Sequence, residues 1–397
     1  MLAVMLVQAG CAESMDDRAY ERFATGQEYY DNHAVASRGE SEAPTTAPTT
    51  RPAGLELGDS SQLGDYLTYA ALHSSELRSA FAAWKSALEE IPQVRAMPDP
   101  RFTYRNYIHS VETRIGPQRN AYEILQTFPW LGKLEFRGDI AAQRSQAAFP
   151  RFEAARLKLS YRVHKAYGEY YYLRRAIGIT EQNVALLDLI ESIARRRYAV
   201  GTDTHPDVIQ AQVEQAKLAD SLRTLQKLRA VIMARLNAVM DRPVNAPLPW
   251  PKEIPSPQSD FSDEQLLAWA ARTNPEVRAL DREIAARKLG VEMARKEYFP
   301  DVTFGVSAID TGSARGAMNV SDSGKDPVIA MVSLNIPIWW DKISAGIRQA
   351  RWRHLQAVSD KAALLNNLSA DVTMALFEFH DARLEMLIGK TMPAGNE

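Results

Sequence analysis

The chain repeats itself. Leu67, Ala70, Ala71, Glu76, Arg78, Arg95, Pro100 and Thr103 recur 200 residues later as Leu267, Ala270, Ala271, Glu276, Arg278, Arg295, Pro300 and Thr303. The register then slips by nine, and Leu159, Ser160, Val163, Ala166, Glu169 and Arg174 match Leu368, Ser369, Val372, Ala375, Glu378 and Arg383. A unit this long is too large for a solenoid repeat. It predicts two copies of one architecture: residues 59–241 and 262–397, joined by a proline-rich connector at 242–261.

Both copies read alike. A helical pattern ends before Pro100 or Pro300, with Pro92 expected to interrupt the first copy earlier. A period-two stretch follows. In the second copy Val302, Phe304, Val306 and Ala308 alternate with Thr303, Gly305 and Ser307. After a polar loop from Asp310 to Pro327, Val328, Ala330, Val332, Leu334 and Ile336 alternate again. The first copy shows Phe102 and Tyr104, then Tyr122, Ile124 and Phe128. Such segments predict one β-hairpin per copy, with strands of a length that suits an outer-membrane barrel. Each hairpin exits through Pro129, Trp130 and Lys133 or through Pro337, Trp339 and Lys342. Proline belongs where no ladder donor is needed. The tryptophans fit a membrane–water interface, or ordinary packing where a strand turns into a helix.

Helix lengths exclude a compact globule. The pattern runs from Pro129 to Gly201, about 108 Å of helix, with a kink expected at Pro150. A return helix from Pro206 to Asp241 carries the heptad seam Leu218, Leu222, Leu225, Ile232, Leu236 and Val239, broken by Arg229. One further helix is expected from Ser262 to Phe299. The fold class is therefore mainly α with a small β part.

Charge is nearly balanced, 47 basic against 49 acidic residues, which argues against nucleic acid as a partner. Beyond residue 11 no apolar run is long enough for a transmembrane helix. Residues 12–58 read as a disordered tether containing a tandem Ala-Pro-Thr-Thr. The single cysteine, Cys11, follows an apolar run and Ala9-Gly10, so residues 1–11 resemble a lipoprotein signal with Cys11 as the lipid attachment site. A stray cysteine in a tail is the alternative. The seven histidines include no helical metal pair, and neither a phosphate loop nor a nucleophile elbow is present. No enzyme, cofactor or metal site is expected. The tyrosine run 170–172 reads as helix packing, and Arg195-Arg196-Arg197 as helix-end cations or a partner contact.

The duplication, the hairpins, the strand–proline–helix exits and the turn Arg197-Tyr198-Ala199-Val200-Gly201 before His205-Pro206-Asp207-Val208 together resemble the TolC family of outer-membrane efflux proteins. The exit Phe-Pro-Trp-Leu-Gly-Lys-Leu with Arg137-Gly138 is most similar to its heavy-metal efflux branch. The resemblance implies a homotrimer whose protomers each give four strands to a twelve-stranded barrel in outer-membrane lipid, with helical-barrel hairpins in the periplasm. It implies a passive conduit that serves an inner-membrane pump through a periplasmic adaptor protein. It places Tyr198, Gly201, Asp207 and Val208 at the periplasmic helix tip, with Asp207 near the pore axis. Capping of the return helix is the plainer role for Asp207. Only 14 residues follow Arg383, so the second long helix is expected to be cut short. A periplasmic helical-hairpin adaptor and a non-functional truncated relative are the competing readings.

Overall fold

The computed structural model describes residues 57–201, 205–254, 261–315 and 321–391. The first copy contains α1 (Leu63–His73), α2 (Ser75–Arg95), β1 (Arg101–Thr113), β2 (Gly116–Phe128), α3 (Lys133–Ala199) and α4 (His205–Val239). The second contains α5 (Asp263–Thr273), α6 (Pro275–Lys296), β3 (Val302–Thr311), β4 (Val328–Leu334) and α7 (Trp340–Thr391). The chain forms two compact units. One takes the described residues up to Ala82 and from Phe152 to Asp260; the other takes Ala83–Arg151 and the described residues from Phe261 onward.

Two expectations about helix breaks need correction. The helix expected from Ser262 to Phe299 is two helices, split at Asn274, whose ψ of 123° is extended. Pro275 forces its predecessor out of the helical region. Asn274 then caps the new start, accepting from the amides of Glu276 and Val277 at 2.8 and 3.3 Å. Ser74 makes the same break 200 residues earlier, with ψ 119° and its hydroxyl accepting from Leu77 N at 3.2 Å. Pro92, by contrast, interrupts nothing: α2 continues through it to Arg95. Only one backbone bond is forfeited there, and the helix ends within a turn anyway. α3 is one continuous helix through Pro150, where a kink rather than a break is expected.

In the first unit, Tyr66, Ala70 and Leu77 meet Phe152, Leu159, Val163, Ala166, Tyr167 and Tyr170 of α3, with Leu236 and Met240 from the end of α4. Tyr66 packs edge-on against Tyr167 at 5.1 Å, and burial raises its hydroxyl pKa. The described part of the connector, residues 242–254, is strapped to α3. Tyr170 donates to Leu248 O at 3.2 Å and stacks on Trp250, and Arg174 donates to Pro251 O at 2.5 Å. From Val208 to Ile232 the positions of α4 that are not exposed step by three and four, through Ala211, Gln215, Leu218, Leu222, Leu225 and Arg229, and Leu236 continues the series. Arg229 therefore continues the seam instead of breaking it. Its guanidinium lies 4.2 Å from the Trp250 ring centre, so a cation–π contact replaces the missing leucine.

In the second unit the four strands form one antiparallel sheet in the order β1-β2-β3-β4. The central pairing, β2 with β3, joins the two copies. Arg114 and Ile115 form the tight turn between β1 and β2, and Gly116 beyond it has φ +136°. A Cβ there would lie 1.7 Å from the Gly312 carbonyl oxygen. Gly116→Ala is expected to cost the hairpin about 3 kcal/mol or more, since strained backbone and a backbone clash coincide. Limited proteolysis of detergent-solubilised protein should then nick this turn, where the parent resists.

Candidate functional site

The sheet is two-faced because side chains alternate along each strand. Phe102 lies opposite Ile124, Ile124 opposite Val306, and Val306 opposite Ala330. The next row is Tyr104, Tyr122, Ala308 and Val328. Toward the exits come Phe304 opposite Val332, then Phe128, Val302 and Leu334. Apart from Gln126, which lies opposite Phe304, every member of these rows is apolar or aromatic. Phe102, Ile124, Phe304, Val306, Val332 and Leu334 are each more than half exposed. Gln126 is the polar member of this face, and its amide is spent on the carbonyls of Pro98 and Thr127. From Tyr122 to Phe128 the band runs about 20 Å along the strand. It ends at a polar row: Asn106 donates to Asn120, Asn120 to Asp310, and Tyr104 OH to Asn120, all at 2.8 Å.

The opposite face is mixed: Arg101, Thr103, Arg105, Glu123, Thr127, Thr303, Ser307 and Ser333 share it with Ala121, Leu125, Ile309, Ile329 and Met331. Arg105 pairs with Glu123 at 3.3 Å, and the hydroxyls of Thr127 and Thr303 meet at 2.9 Å. An apolar band backed by the face that holds the charges and hydroxyls is the pattern of a barrel wall between lipid and water. An apolar patch this large is costly on a water-exposed surface. None of the described helices is long and apolar enough to cross a membrane.

The two hairpin exits, alike in sequence, sit in different surroundings. After Pro129, Lys133 is only 2% exposed. Its ammonium donates to Asp301 Oδ1 at 2.9 Å and to the Phe299 carbonyl at 3.2 Å, with Glu297 at 3.7 Å. The Trp130 amide donates to the same Asp301 oxygen at 2.9 Å, and its indole stacks on Phe299 at 5.2 Å. Burial alone would raise the Asp301 carboxyl; Lys133 and the Trp130 amide more than offset it and hold the carboxyl below the usual range. Asp301 and Phe299 were not singled out in the sequence, although an acid directly after a repeated proline was a usable signal. At the second exit, after Pro337, Trp339 and Trp340 are 71% and 70% exposed, and Lys342 is exposed as well. Together with Ile338 and Asp341 they line an open concavity of about 540 Å³.

At the far end of α3, Tyr198 is half-exposed, and Gly201 adopts φ +77°, the left-handed geometry that ends a helix. Val208 is buried on the α4 seam. Asp207 stands in the first turn of α4, but its side chain lies outside the described residues, as does the whole of Cys11. Nearby, Glu191 accepts from Gln212 at 2.9 Å and from Arg195 at 2.6 Å, which holds its carboxyl below the ordinary range.

Residues 67–240 and 266–386 match the family model for outer membrane efflux proteins, one matched stretch per copy. Protein CyaE of Bordetella pertussis is 25% identical over 311 residues, covering 75% of this chain and 64% of that protein. Outer membrane efflux protein BepC of Brucella suis is 25% identical over 232 residues, covering 56% of this chain and 48% of that protein. The match thus spans about half to under two thirds of these relatives' lengths. Among solved structures, CusC aligns with a TM-score of 0.68 at 14% identity, over 89% of this chain and 85% of its own. VceC of Vibrio cholerae aligns at 0.62 with 20% identity over 82% and 79%, and the CmeC outer membrane channel of Campylobacter jejuni at 0.63 with 13% over 88% and 81%. These folds are those of outer-membrane channels and not of enzymes. With both repeats matched and the sheet two-faced as a barrel wall requires, the chain belongs to the outer membrane efflux protein family, the TolC family of channels.

Proposed function

We propose that the chain is the outer-membrane channel of a tripartite efflux system. Three copies each give four strands to a twelve-stranded barrel, and the helices continue into the periplasm as an α-barrel. The conduit is passive. An inner-membrane pump supplies the energy, and a periplasmic adaptor docks where α3 turns into α4, around Tyr198, Gly201, Asp207 and Val208. Cys11 carries the lipid anchor, and residues 12–58 tether it to the folded body. Trp130 and Trp339 sit at the periplasmic boundary between outer-membrane lipid and water, and the cargo is whatever the pump delivers.

The observation that supports this reading is the sided sheet. Its apolar band faces outward and the face with the charges lines water, while among the described residues β1 and β4 leave both edges of the sheet unpaired. A helical-hairpin adaptor working in water has no use for such a face. The test is fractionation followed by planar-bilayer recording. The expected result is recovery in the outer membrane as a heat-modifiable trimer that conducts ions. Soluble periplasmic recovery of the Cys11→Ser variant, with no such trimer, would refute the channel.

A further inference from the structure

The joint between the two copies inside the chain specifies how one chain meets the next. At the internal joint, Phe128, the residue before Pro129, lies opposite Val302, two residues past Pro300. Lys133 then closes the joint against Phe299 and Asp301. The same parts stand unused at the two ends of the sheet. β4 leads into Ile336, Pro337, Trp339 and Lys342; β1 starts just past Pro100, with Phe102 two residues beyond that proline. Ile336, Trp339 and Phe102 are 73%, 71% and 64% exposed. Among the described residues, neither Lys342 nor Asp99 makes an ion pair. Four strands are too few to close on themselves, so β4 and β1 of one chain cannot pair with each other.

We propose that, at the subunit joint of the barrel proposed above, Ile336 of one chain lies opposite Phe102 of a second copy, in the register of the internal joint, with Lys342 acting as Lys133 does and Asp99 of the second copy supplying the carboxylate. This rests on the barrel reading above and names its subunit contact. The charges complement each other, with one shift. Arg101 stands where the internal joint has Asp301, and the acid has moved to position 99, the counterpart of Phe299, whose carbonyl already receives Lys133. Asp341, the counterpart of Gly132, balances Arg101. Each copy thus offers Asp341 and Lys342 on one edge, and Asp99 and Arg101 on the other. Such a contact joins unlike surfaces and must run on until a ring closes.

Paired cysteines test the register, because directly opposed strand residues lie within disulfide reach. Ile336→Cys with Phe102→Cys, and Leu334→Cys with Tyr104→Cys, should give oxidised dimers and trimers from outer-membrane fractions. The off-register pair Leu334→Cys with Phe102→Cys should not, nor should any single variant. Lys342→Asp should lower the yield of assembled protein about tenfold, and adding Asp99→Lys should restore it. Trimers that cross-link through amines but only in the off-register cysteine pair would overturn this joint and leave the barrel standing. Monomers confined to the soluble fraction would overturn both.

Discussion

Val306→Arg is expected to abolish assembly in the membrane, while Ser307→Arg, one residue away, leaves it nearly intact. Val306 lies in the middle of the apolar band, between Ile124 on β2 and Ala330 on β4, and is more than half exposed. A guanidinium at the midplane of a barrel's lipid face costs about 2–4 kcal/mol. Three copies multiply that to roughly 6–12 kcal/mol, comparable with the stability of a whole domain. Ser307 points the other way, onto the face that carries Arg105 and Glu123. There an arginine meets water and a carboxylate on the opposing strand position, Glu123. The measurement is the heat-modifiable fraction in isolated outer membranes. Equal loss in both variants would show that the assignment of faces is wrong.

That alternation was legible because it is local. Val302 to Ala308 and Val328 to Leu334 announce their faces in the sequence, and the structure gives β3 and β4 there. β1 and β2 were harder to read. Each has 13 residues, but the period shows only near the exits, because the outer half carries Asn106 and Asn120 on the face that is apolar below. Pro92 and Pro275 were misjudged because of where each stands relative to a helix end. Pro92 falls in the last turn, where few bonds remain to break, whereas Pro275 fixes a boundary through its predecessor Asn274. Arg229 looked like a fault in a heptad until Trp250, on another segment, supplied its partner. The exits hid most. Lys133 and Lys342 have similar flanks, and only the pairing of β2 with β3 buries one and leaves the other in solvent.

The buried lysine yields the second large effect. Asp301→Ala is expected to cost about 3 kcal/mol. Lys133 would remain 2% exposed with the Phe299 carbonyl and Glu297 as its company. Breaking a fully buried pair costs about 3–5 kcal/mol. The lower end applies because Asp301 is 27% exposed and Glu297, at 3.7 Å, retains part of the attraction. Lys133→Met should cost less, since the carboxylate left behind keeps the Trp130 amide and reaches water. Lys133→Met combined with Asp301→Ala should destabilise less than the two single effects added together, because no lone charge stays buried. The pH dependence separates the ion pair from mere packing. The folded Asp301 carboxyl titrates below the unfolded value of about 3.9, so its contribution is present above about pH 5 and is lost as the pH falls through the folded value. Trimer dissociation temperature in detergent, followed from pH 7 to pH 3, should therefore fall in the parent and stay flatter in Asp301→Asn. If the acid limb is identical in both, Asp301 stabilises the joint by shape alone, and Lys342 loses the charge argument for its own pairing with Asp99.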